Sequence, residues 1–114
     1  MFQRMTIGEL LHRYKEHFSD AYLLWLPDNV HIWQAFEQEA AKVISKGYKH
    51  YSARTIVEVL RHQSAIAENS TSGWKINNDI IPYLARTFAF YNPHHANLFE
   101  YRTAHRALRD GVVR

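Results

Sequence analysis

The chain has no cysteine, which excludes disulfides and thiolate metal sites. It has no run approaching the roughly 18 apolar residues that a membrane-spanning helix needs. Its first residues, MFQRMTIGELLHRYKEHF, hold no apolar signal core. These absences predict a soluble protein with no membrane partner that stays where it is made, in the cytoplasm. Internal repeats and low-complexity tracts are missing too. So are the phosphate-cradling P-loop, G-x-G-x-x-G, the zinc-binding H-E-x-x-H and the nucleophile elbow G-x-S-x-G. The expectation is a protein that is not an enzyme and carries no cofactor and no metal.

What the chain does contain is a normal globular composition. With 46% hydrophobic and 22% charged residues over 114 positions, it can bury a core of its own as one domain spanning 1–114. Charge is divided unevenly. Residues 1–47 carry five Lys and Arg against six Asp and Glu, whereas residues 48–114 carry nine against five. A basic second half suggests an anionic partner, nucleic acid first.

Hydrophobic periodicity predicts an all-α fold of about five helices. Thr6 to Glu9 spells a capping box, T-x-x-E, and Ile7, Leu10, Leu11, Tyr14 and Phe18 follow at helical spacing, giving a helix over 7–18. The stretch AYLLWLP (21–27) reads as a last helical turn or an extended connector ended by Pro27. A helix over 30–46 starts from Asp28 or Asn29, buries Trp33, Phe36, Ala40, Val43 and Ile44, and ends at Gly47. Ser52 caps a third, 53–67, with Ile56, Val57, Leu60 and Ala67 inward. Arg54, Glu58, Arg61 and His62 share its opposite face, with Arg54–Glu58 and Glu58–His62 spaced as i,i+4 pairs.

ENSTSG (68–73) is a loop, and Trp74 and Ile76 tuck inward after it. With Asp79 as N-cap, a helix over 80–91 follows that is apolar nearly all round and therefore central to the core. Its single cation, Arg86, either escapes to the surface or meets a carboxylate such as Glu58 or Glu100. Asn92 and Pro93 then open a fifth helix, 93–102, and a break near Thr103 leaves a basic tail.

The residues available for an anionic partner are cations and amides on loops, helix entrances and the tail. They are Lys49, Arg54, Lys75, Asn77, Asn78, Arg86, Arg102, Arg106 and Arg109. Arginine, lysine and asparagine can meet phosphates or base edges, although an asparagine at a helix entrance also serves as a cap. A standard helix-turn-helix does not fit. About a dozen residues separate helices 53–67 and 80–91, and the second is too apolar to lie in a groove. A different class of function, docking to a protein partner or self-association, would use Tyr22, Trp25, Tyr48 and Tyr51, which fall on connectors.

The strings W-K-I-N-N (74–78), P-Y-L-A-R (82–86), N-P (92–93) and L-F-E-Y-R (98–102) form a pattern. Together with the upstream Y-S-A-R-T-I-V-E-V-L-R-H (51–62), it resembles small uncharacterised proteins of phages and prophages. The resemblance covers 47–102, about half the chain, and carries no assigned activity. It implies a setting: a phage-type gene product in bacterial cytoplasm, either a nucleic-acid-binding accessory or an inhibitor of a host or defence complex.

Overall fold

The Thr6–Glu9 capping box forms as the sequence dictates. Glu9 N–H donates to Thr6 Oγ1 at 3.1 Å, and Thr6 N–H donates to Glu9 Oε1 at 2.8 Å. Helix α1, Ile7–Arg13, starts there. The expected helix over 7–18 does not run through. Tyr14 leaves the helical region, Lys15–His17 tightens into a 3-10 turn, and Phe18 is extended. The break aims two rings at one target. Tyr14 stacks on Phe90 at 3.9 Å between centroids, while Phe18 meets the same ring edge-on at 5.9 Å.

The computed structural model describes residues 4–69 and 73–99. Within them, the apolar patch after Phe18 is a helix, α2, Asp20–Trp25, and not a connector. Ser19 makes the difference: its Oγ accepts Tyr22 N–H at 3.1 Å and caps the new turn. A 3-10 turn, Leu26–Asp28, ends it. Asn29 Nδ2 then donates to the Trp25 carbonyl at 2.7 Å, so this side chain closes α2 and does not cap the next helix.

Helix α3, Val30–Ser45, buries Ile32, Trp33, Phe36 and Ala40, with Val43 and Ile44 half-buried at its far end. Gly47 reverses the chain at φ +93°, its N–H donating to Ile44 O at 2.9 Å. Ser52 caps α4, Ala53–Ala67, by accepting Thr55 N–H at 3.2 Å. Ile56, Val57 and Leu60 face the core as expected; Ala67 is exposed, and Ser64 takes the last inward position.

Helix α5, Ile81–Tyr91, follows a 3-10 turn, Asn78–Ile80. The cap is Asn77, not Asp79: Asn77 Oδ1 accepts the Asp79 N–H at 2.8 Å. Helix α5 packs against both α3 and α4. Its remaining side is covered by α1 and α2 through Tyr14, Phe18 and Tyr22, so little of it reaches water. In the middle of this contact Tyr22 Oη and Thr87 Oγ1 lie 2.7 Å apart, both residues fully buried. Burial pushes the Tyr22 phenol well above its ordinary range.

Residues 93–99 depart most from expectation. Asn92 does not cap a helix; its Nδ2 donates to Glu37 Oε2 at 3.0 Å and to Phe88 O at 3.1 Å. Only a 3-10 turn, Pro93–His95, forms before the chain extends, with Leu98 and Phe99 buried. Phe99 pairs with Tyr51 in an isolated parallel bridge, Tyr51 N–H donating to Leu98 O at 2.8 Å. The break expected near Thr103 lies outside the described residues. Among the described residues the fold is all-α, with five α-helices, and no helix is long and apolar enough to cross a membrane.

Candidate functional site

Gly73 begins the segment that shapes the site. It takes φ +68° and lies so close to α4 that an added Cβ would meet the Arg61 carbonyl oxygen at 2.1 Å. Ser64 Oγ accepts Trp74 N–H at 2.8 Å and donates to Arg61 O at 3.1 Å. Arg61 completes the fastening. Its Nη2 donates to the Ile76 carbonyl and, at 3.0 Å, to Asn78 Oδ1, while Nη1 meets Glu58 at 2.8 Å. These contacts draw residues 73–78 along α4 and bring the start of α5 beside the start of α4.

Between those two starts lies an open cleft of about 800 Å³. The first turn of α4 borders it with Ser52, Ala53 and Arg54, and α5 with Ile81, Pro82, Ala85 and Arg86. Asn78 lies at one side, and His50 and Tyr51 enter from the connector. Of the expected residues, Arg54, Asn78 and Arg86 therefore meet in one place. No Asp or Glu lines the cleft among the described residues.

The two arginines are held differently. Arg86 is half-buried; its Nη1 donates to the His17 carbonyl at 2.8 Å, and its guanidinium lies 5.3 Å from the Tyr83 ring centroid. Among the described residues the partner is thus a backbone carbonyl and not Glu58, which pairs with Arg61; Glu100 lies outside them. A carbonyl compensates part of the desolvation but leaves the positive charge un-neutralised. Arg54 is exposed and makes no ion pair among the described residues. The i,i+4 spacing put Glu58 beside it, yet Glu58 pairs one turn the other way, with Arg61. Arg61 wins because Ile76 and Asn78 already fix its guanidinium, so little side-chain entropy is left to lose.

The other expected residues stand apart. Lys49 and Lys75 are exposed and do not line the cleft. Asn77 is occupied as the cap of the turn before α5. Arg102, Arg106 and Arg109 lie outside the described residues. Of the cleft's polar and aromatic residues, His50 was not singled out by the sequence, while Tyr51 was assigned to a protein partner and Ser52 to a cap alone. The available signal was the cap itself, because a histidine two residues before an N-cap serine stands beside a helix entrance.

Three of the four aromatics expected on exposed connectors are turned inward. Tyr22 is on α2 and fully buried, and Trp25 and Tyr51 are half-buried against the core. Only Tyr48 is exposed, at 53%. No known protein family, curated protein or solved structure matches the chain.

Proposed function

We propose that this protein binds nucleic acid, and that phosphate groups of the strand enter the cleft between α4 and α5. One observation carries the reading: Arg54, Arg86 and His50 converge where two helices begin, and no carboxylate lines the space. The first turns carry the positive end of the helix dipole, which favours an anion, while the N–H groups of Thr55, Ile80 and Ile81 are already engaged and Pro82 has none. Arginine adds a planar fork that matches phosphate oxygens. Asn78 stands at the rim, with its Oδ1 engaged by Arg61. Lys49 and Lys75, and the tail arginines Arg102, Arg106 and Arg109, enter this proposal on charge alone, as contacts along a longer strand. In keeping with the phage-type pattern of residues 47–102, the setting we propose is an accessory protein in bacterial cytoplasm.

The test is binding of labelled single-stranded and duplex oligonucleotides of random sequence, measured by anisotropy across a salt series. Phosphate contacts make log K fall with log salt by roughly 0.7 to 0.9 per neutralised phosphate. The two arginine contacts therefore predict a loss of about tenfold between 50 and 200 mM salt. Absence of binding to either oligonucleotide at low salt refutes the reading.

A further inference from the structure

We infer that the nucleic acid taken by this cleft is single-stranded, and that Tyr48 is the platform on which one of its bases stacks. The inference rests on the phosphate reading of the cleft and adds the form of the strand.

Shape is the first argument. A duplex is read by a helix or a two-stranded ribbon that protrudes into a groove about 12 Å wide. Here Arg54, Arg86 and His50 line a concavity of about 800 Å³. That volume falls within the roughly 300–1,000 Å³ of pockets that enclose a small organic ligand, the scale of a nucleotide or two. A flexible single strand can lower a phosphate into such a space, whereas the rigid duplex backbone cannot bend its phosphates inward locally.

Tyr48 supplies the second argument. Among the described residues only Leu24, Tyr48 and Ile66 are large hydrophobics left exposed, and of these Tyr48 alone adjoins the cleft. Its ring stands 5.3 Å from that of Tyr51, a lining residue, at 70°. Both rings are anchored through the backbone. Tyr48 N–H points to Val43 O at 3.4 Å, after the Gly47 reversal, and Tyr51 N–H donates to Leu98 O at 2.8 Å. The backbone that carries the exposed ring is thus held beside the cleft, and the ring rests edge-on against Tyr51. The order Tyr48-Lys49-His50-Tyr51 alternates an exposed ring with basic side chains. That combination, stacking surface beside backbone cations, is how single strands are held without sequence readout.

The experiment measures anisotropy of a labelled oligothymidine, an oligouridine of equal length, an abasic DNA strand and a matched duplex at low salt. Wild type should bind both base-bearing single strands at least about tenfold tighter than the duplex. Tyr48→Ala should lose roughly tenfold on them, as removal of one stacking partner does, and should leave the abasic strand unchanged. Tyr48→Phe should retain wild-type binding, because the ring face and not the hydroxyl carries the contact. Unchanged melting temperature in Tyr48→Ala establishes that the fold is intact. Duplex binding as tight as single-strand binding, or an unaltered Tyr48→Ala, overturns the inference. In that event, weakening by Arg54→Ala still upholds the phosphate cleft, and indifference to both substitutions removes the two together.

Discussion

Gly73 and Arg61 approach each other so closely that the space for a side chain is already filled. A Cβ at Gly73 would lie 2.1 Å from the Arg61 carbonyl oxygen, 2.7 Å from Ser64 Oγ and 2.9 Å from Ala65 N. Two of those three atoms are helix backbone and cannot swing aside. The residue also sits at φ +68°, where an L side chain is strained. Gly73→Ala should therefore combine about 1–2 kcal/mol of backbone strain with about 1–3 kcal/mol of overpacking. Gly47 is the matched control: at φ +93° it meets nothing within 4 Å, so Gly47→Ala should cost only the backbone part. Urea unfolding of both variants checks this. Equal losses would mean that 73–78 is not tightly seated on α4.

The burial of Tyr22 beside Thr87 predicts alkaline sensitivity. Burial raises the Tyr22 phenol in the folded state, while the unfolded chain ionises near the ordinary value of about 10. A raised folded value means that the stabilisation is complete below pH 10 and is lost as pH climbs toward the folded value. Each unit above 10 costs about 1.4 kcal/mol. Tyr22→Phe removes one hydrogen bond, about 0.5–1.5 kcal/mol at pH 8. It does not orphan Thr87, whose Oγ1 still donates to the Tyr83 carbonyl at 2.8 Å. The variant cannot ionise at that position. Its deficit at pH 8 should shrink or reverse at pH 11, as read from denaturation midpoints. Tyr91, raised in the same direction by burial, is present in both proteins and cancels.

The Thr6–Glu9 box predicts an effect at the opposite end of the pH scale. The hydrogen bond from Thr6 N–H holds the Glu9 carboxyl below its usual range. A lowered folded value means that its contribution is present above the unfolded value, about 4.3, and fades as pH falls through the folded one. Glu9→Gln should thus differ from wild type at neutral pH and converge with it in acid. Thr6→Ala should lose the cap on the other side, about 1 kcal/mol, and in acid only the smaller part that its hydroxyl lends to the Glu9 carboxylate should fade. Thermal melts from pH 2 to 7 separate the two behaviours.

These features show where sequence was a good guide and where it was not. Thr6, Gly47 and Ser52 could be read because a cap or reversal is settled within three or four residues of itself. Helix α5 could be read because an all-round apolar run has only a core to enter. The missed helix α2 needed Ser19 to outweigh the continuity of the preceding turn, and the choice was made by Phe90, far along the chain. Over 93–99, the described part of the fifth helix expected at 93–102, helical structure lost to the Tyr51–Phe99 bridge and to Glu37, which occupies the Asn92 amide. The cleft depends on the same kind of distant partner. Spacing set Glu58 against Arg54, and the seating of residues 73–78 on α4 turns Glu58 toward Arg61 and leaves Arg54 without an ion pair among the described residues.

The two cleft arginines should separate under mutation, and that separation tests the site. Arg54 is exposed and without an ion pair among the described residues, so Arg54→Ala removes no folded-state contact beyond its own stem. Its effect on stability should stay within about 0.5 kcal/mol, while nucleic-acid affinity falls and the salt slope drops by roughly 0.7 to 0.9, one phosphate contact fewer. Arg86 bridges α5 to the turn before α2 through the His17 carbonyl and leans on Tyr83. Arg86→Ala should lose stability, by about 1–3 kcal/mol for a charged hydrogen bond, as well as affinity. Arg86→Lys keeps the charge but not the fork, so it should recover salt dependence better than stability. Melting temperature and salt slope, measured on the same three proteins, give two independent axes. If Arg54→Ala moves only the first axis, the cleft is packing and not a binding site; if Arg86→Ala leaves that axis unmoved, the division of roles between these arginines is wrong.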